Sequence, residues 1–244
     1  MQTPTNKNEH GFSLIELIIA MVITMTILGL ATTLLASAFA SRSREDRKSD
    51  AIADVQRALN IMTREISNSG LKLPSGLPGI SSNGLVAGDS NSESIRVVSN
   101  LNGMPDSANG YFEDSDVTDT DEDVKFLMYV DNTIGQRYIV RYEKNGTNQT
   151  TVLANRIDSL TFHYYDEKVT YTTTINSDGE ADIASVVNAS GITETEVSPG
   201  SAKFIVIAVG VTLPAVGASG ANGYQPETQI TLTSDVVLRN SIVY

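Results

Sequence analysis

From residue 12 to residue 40 the chain reads FSLIELIIAMVITMTILGLATTLLASAFA, an apolar run of 29 residues with one ionisable side chain, Glu16. A helix of that length rises about 43 Å, enough to cross a hydrocarbon layer of about 30 Å. A cleaved secretory signal has an apolar stretch of only about 7–15 residues, so this run is too long to be one. Neither proline nor glycine interrupts residues 30–69, so the helix is predicted to continue beyond the apolar run. Within that continuation Ile52, Val55, Leu59, Met62 and Ile66 recur at spacings of three and four. They form one stripe of an amphipathic helix, with Arg57, Asn60, Arg64 and Glu65 off it. The sequence Ser67-Asn68-Ser69-Gly70, followed by Pro74, is a stop signal with Gly70 as a candidate left-handed cap.

After Pro74 the period changes. Residues 75–92 are rich in Gly and Ser and read as a loop. Short β-rich runs follow at 94–99, 124–130, 138–143, 150–153, 160–165, 169–175, 203–213 and 229–238. Asn145-Gly146 is a hairpin signal and Asp178-Gly179 a turn. Alternation of Leu160, Phe162 and Tyr164 with Thr161, His163 and Tyr165 predicts a strand with one buried face, leaving His163 half exposed. The predicted fold class is α+β: a long N-terminal membrane-spanning helix packed on a C-terminal antiparallel β domain. The expected parts are a polar leader at 1–11, a spanning helix at 12–40, its amphipathic continuation at 41–69 and a β-rich globe at 70–244.

Composition narrows the function. The 244 residues carry a formal charge of −12, with no Cys, no Trp and only two His. An acidic chain lacks the basic stripe that phosphate binding needs, so no nucleic-acid partner is expected. Without cysteine there is no disulfide, thiol nucleophile or cysteine-held metal. No nucleophile-elbow or phosphate-loop pattern occurs either, so an enzyme is not expected. The charge is unevenly placed. Residues 41–72 have seven basic and five acidic side chains, whereas residues 73–244 have nine basic and 22 acidic. An apolar rod therefore joins a mildly basic neck to an acidic globe.

Glu16 is costly where it stands, because a carboxylate in a spanning segment costs on the order of 3 kcal/mol and is by default functional. Ahead of it lies a short polar leader, MQTPTNKNEHG, and then Phe12-Ser13-Leu14-Ile15-Glu16. The string G-F-S-L-I-E resembles the processing site of type IV prepilins and of type II secretion pseudopilins. That resemblance implies cleavage between Gly11 and Phe12 by a prepilin peptidase, N-methylation of Phe12, and a role for Glu16 in pairing with the N-terminal amine of a neighbouring subunit. The fold it implies is pilin-like.

Implied partners are other pilins and minor pilins, the peptidase/methyltransferase and the inner-membrane assembly platform. The implied location is the bacterial inner membrane, single-pass, with the N-terminus cytoplasmic and the globe outside, and then the fibre. Arg42, Arg44, Arg47 and Lys48 follow the apolar run, whereas the leader offers Lys7. Counted alone, these cations favour the opposite orientation; the leader-in orientation rests on the resemblance.

Residues 152–166, 203–213 and 228–240 resemble strands of W-type minor pilins and J-type pseudopilins, which implies a minor subunit of a type IV pilus. Its alternatives are a J-like pseudopilin of a type II secretion system and a membrane-anchored extracytoplasmic binding module. For the last of these, Asp114, Asp116, Asp119, Asp121 and Asp123 are candidate calcium ligands, since oxygen-rich loops bind that ion. Acid runs are also commonly solvated loops, and no other cofactor is expected.

Overall fold

A computed structural model describes residues 13–74, 76–102, 116–145, 149–220 and 223–241. One helix, α1 (Leu14–Ser67), precedes the strands β1 (Ser94–Val98), β2 (Asp123–Asp131), β3 (Gln136–Glu143), β4 (Thr150–Asn155) and β5 (Ser159–Tyr165). After these come β6 (Val169–Ile175), β7 (Ala181–Asn188), β8 (Phe204–Leu213) and β9 (Thr228–Val237). All pairings are antiparallel: a meander β1-β2-β3-β4, a sheet β5-β8-β9 and a hairpin β6-β7. The molecule is thus α+β, with the helix first and the sheets after it. It divides into two compact units, one of Met1–Asp46 with Ala215–Pro226, the other of Arg47–Pro214 with Glu227–Tyr244.

In the second unit the amphipathic stripe of α1 forms part of the core. Val55, Ala58, Met62 and Ile66 are wholly inaccessible and Leu59 nearly so. They share one cluster with Ile95, Phe126 and Ile139 of the meander, with Leu160 and Phe162 of β5, and with Ile205 and Ile207 of β8. Burying each such large side chain is worth about 1.5–3 kcal/mol. The turn of Arg64 and Glu65 lies off the stripe; there Glu65 Oε2 accepts a 2.8 Å hydrogen bond from Arg141 Nε on β3.

β5 departs from its expected one-sided burial. Tyr165 and His163 are covered as well as Leu160, Phe162 and Tyr164. The cause is the β6-β7 hairpin, whose Val169 and Ile183 pack with Tyr165, Phe204 and Val206 in a second small core. β8 is the central strand of its sheet and reads FIVIAVGVTL, apolar on both faces.

The helix ends as its stop signal predicts: Gly70 has φ +80°, and its N–H donates to Val98 O at 2.9 Å. What the sequence did not announce is a second strand of backbone laid against this cap. Ser69 Oγ donates to Asn83 O at 2.7 Å, and Val98 N donates to Gly84 O at 2.8 Å. Asn83, almost fully buried, donates through Nδ2 to the carbonyls of Pro199 and Ala202. A Cβ on Gly84 would lie 1.9 Å from Gly70 N, at a φ of +79°. Gly84→Ala should therefore lower stability by about 3 kcal/mol, through collision and backbone strain together. Urea unfolding of the purified protein checks this, and an unchanged midpoint would contradict the close approach.

Candidate functional site

The first unit holds the apolar part of α1. Ser13 precedes the first helical residue, and Leu17 N donates to its carbonyl at 3.2 Å. Glu16 Oε2 accepts the Ser13 N–H at 3.0 Å. Ser13-Leu14-Ile15-Glu16 thus makes the glutamate half of a capping box, satisfying one orphan donor at the helix start and placing negative charge at its positive end. The S-x-x-E spacing signals such a box, a role for Glu16 that the sequence reading did not include. Gly11 and Phe12 lie outside the described residues.

From Leu14 to Phe39, fifteen large apolar side chains are at least half exposed. Leaving them in water costs on the order of 20–40 kcal/mol relative to burial. The threonine hydroxyls of this stretch are bonded to the helix backbone instead. Thr24 Oγ1 donates to Ala20 O at 2.7 Å, Thr32 Oγ1 to Gly29 O at 2.9 Å and Thr33 Oγ1 to Leu30 O at 2.8 Å; Thr26 likewise bonds Val22 O. A helix whose hydroxyls are satisfied by its own carbonyls presents only hydrocarbon outward, as an apolar surrounding demands. It is long and apolar enough to cross a membrane.

Where the apolar run gives way to the basic neck, the loop Ala215–Pro226 meets the helix. Val216 and Gln225 exchange backbone hydrogen bonds of 3.0 Å, which bring the two ends of the loop together. Gly223 approaches so closely that a Cβ there would lie 2.7 Å from Ser37 Oγ. Gln225 Nε2 donates to Ser41 Oγ at 3.2 Å, and the buried Arg44 donates through Nη2 to Pro226 O at 2.6 Å. Ser37, Ser41 and Arg44 recur at four and three residues, so all three lie on one helical face.

Most of the acidic side chains between residues 116 and 123 have hydrogen-bond or ion-pair partners. Asp114 lies outside the described residues. Asp116 Oδ1 accepts from Thr118 N and Oγ1, and Asp119 bonds Asn102 Nδ2. Asp121, at φ +70°, pairs with Arg141 Nη2 at 2.5 Å. Asp123 takes a two-pronged bond from Arg96, 2.7 Å from Nε and 2.6 Å from Nη2. The buried Glu122 accepts the N–H groups of Leu101 and Asp119. Among the described residues no group of three His, Asp or Glu side chains is placed to hold a metal ion.

His163 is also drawn into structure. Its Nδ1 is 2.7 Å from Glu196 Oε1, and its Nε2 is 3.1 Å from Asp182 Oδ1 on β7. The imidazole therefore sits between two carboxylates beneath the hairpin, and among the described residues no nucleophile is bonded to it. Tyr164 and Tyr165 are buried, which pushes both phenols well above their ordinary pKa. Tyr171 is pushed up to about 12 by burial and by its bond to Asp235. These tyrosines pack the core; they do not form a surface patch.

The fold and this uncovered helix define a membrane-anchored protein whose apolar N-terminal rod is offered outward. Residues 6–32 match the family model of the prokaryotic N-terminal methylation motif, a type IV pilin-like prepilin signal. No curated protein and no solved structure matches significantly. The motif supports a structural protein processed by a prepilin peptidase and associating with other pilins, in preference to an enzyme.

Asp89 offers a pH test of the packing around Arg96. Its carboxyl is held below the ordinary value of 3.8, chiefly by its hydrogen bond to Arg96. A depressed folded pKa contributes stability that is present above about 3.8 and is lost as pH falls through the folded value. Asp89→Asn should therefore melt below the wild type at pH 7, and the gap should close as pH is lowered toward 3. Melting curves across that range check it; a gap constant with pH would contradict the ion pair.

Proposed function

We propose that the chain is a minor pilin subunit of a type IV pilus, made as a prepilin and incorporated by helix packing. Cleavage falls between Gly11 and Phe12, and the new Phe12 amine is methylated. The protein waits in the inner membrane with its leader cytoplasmic and its globe outside. Residues 12–40 then exchange lipid for the helices of neighbouring subunits. The observation that carries this reading is the uncovered apolar face of α1, headed by Glu16 inside the matched methylation motif.

Glu16 does two things in this account. In the single chain its carboxylate caps the helix through Ser13 N–H. In a fibre core it also offers a negative charge to the terminal ammonium of a neighbour. An unpaired ammonium in a low-dielectric core costs several kcal/mol, so pairing guides the incoming helix to its register.

The two roles separate by substitution. Glutamine also closes a capping box, so Glu16→Gln keeps the helix start but removes the charge. In cells assembling the fibre, that variant should insert in the membrane at wild-type level, while its share of the sheared fibre fraction falls at least about tenfold, the loss expected of a buried pair. Wild-type incorporation of Glu16→Gln would overturn the charge-pairing mechanism.

A further inference from the structure

Across residues 204–226 the chain carries no Asp, Glu, Lys, Arg or His, although residues 73–244 as a whole hold 22 acids and nine bases. This charge-free stretch comprises the buried strand β8 and the loop Ala215–Pro226. Burial explains the strand. It does not explain the loop, whose Ala215, Ala218 and Ser219 are exposed and whose Val216 and Tyr224 are partly so. An exposed loop without charge that carries Val216 and Tyr224 suits a boundary between apolar and polar surroundings.

The loop's position on the helix supplies a reason. It touches α1 at Ser37, Ser41 and Arg44. From Glu16 to Ser37 is 21 residues, or about 32 Å of helical rise, close to the roughly 30 Å hydrocarbon layer. If Glu16 marks one edge of that layer, Ser37 marks the other. Residues 37–44 then fall in the polar zone beyond it, where amphipathic Tyr is favoured and a fixed carboxylate meets anionic headgroups. Arg42, exposed, lies within that zone and suits phosphate groups.

We propose that the loop Ala215–Pro226 is a lipid-contact element that rests on the headgroup layer of the membrane α1 spans. Tyr224 and Val216 enter the interface, while Arg42 meets phosphates. Its hydrogen bonds to Ser41 and Arg44 hold the loop against the helix and set the depth to which the rod is inserted. The proposal rests on the membrane-anchored reading of α1.

The chain has no tryptophan, so single-Trp variants report one place each. Tyr224→Trp, Val216→Trp and Leu28→Trp are made in the full-length protein and reconstituted in phosphatidylethanolamine/phosphatidylglycerol vesicles. Acyl chains are brominated either near the headgroup or near the methyl end. Trp at 224 and at 216 should lose about half its emission to the shallow bromines and little to the deep ones, as for an interfacial aromatic. Trp at 28 should show the reverse preference. Quenching at 28 with none at 216 or 224 overturns the lipid contact and leaves the anchored helix intact. A blue-shifted but unquenched emission at 224 also overturns it, placing the loop against protein. Absence of quenching at all three positions overturns the membrane reading and the proposal with it.

Discussion

The apolar face of α1 between Leu14 and Phe39 has no covering among the described residues, and this exposed hydrocarbon is the constraint that any account of the molecule must meet. Fifteen large side chains left in water would outweigh the net stability of an ordinary domain, which is about 5–15 kcal/mol. The helix must therefore be surrounded by lipid or by other helices. Within it the polar atoms are already satisfied, the threonines by carbonyls of the preceding turn and the Ser13 N–H by Glu16. Among the described residues of that stretch Glu16 is the one ionisable side chain, and the proposed charge pairing rests on it.

The same helix changes its surroundings after the basic neck without changing its backbone. Its outward hydrocarbon becomes an inward stripe of Val55, Leu59, Met62 and Ile66, which belongs to the core of the second unit. The far end is held by paired backbone, with Gly70, Ser69 and Gly84 in contact and Asn83 bridging to the carbonyls before β8. The helix terminus is thus held against fraying by a hydrogen-bonded cap. The acids of the globe are taken up in the same way by named cations and backbone donors, as with Asp123 on Arg96 and Asp121 on Arg141.

Much of this was legible in the sequence because it depends on local pattern. The extent of α1, the Gly70 cap and eight of the strands follow from periodicity and turn chemistry, which act over a few residues. β7 was not legible. Its sequence ADIASVVN is poor in strand formers, and a bulge at Ser185, φ +53°, breaks its alternation. The burial of His163 was missed for a related reason, since the hairpin that covers it includes that unseen strand. The contact of Asn83 and Gly84 with the helix cap and that of Gly223 with Ser37 were missed because both join distant residues through glycine backbone, and a Gly-rich segment reads the same whether it is solvated or docked. For the candidate site, the G-F-S-L-I-E string drew attention to Glu16 as a pairing group, whereas the capping role that its S-x-x-E spacing also signals was overlooked.

The central claim is that residues 12–40 are the rod of a processed pilin, and the mature N-terminus tests it most directly. The full-length protein is co-expressed with a prepilin peptidase, extracted from the membrane fraction and weighed by intact-protein mass spectrometry with N-terminal fragmentation. The account predicts a chain that begins at Phe12 with a methylated amine, having lost residues 1–11. A protein that retains Met1 and the leader under these conditions, or that begins at any residue other than Phe12, would contradict it.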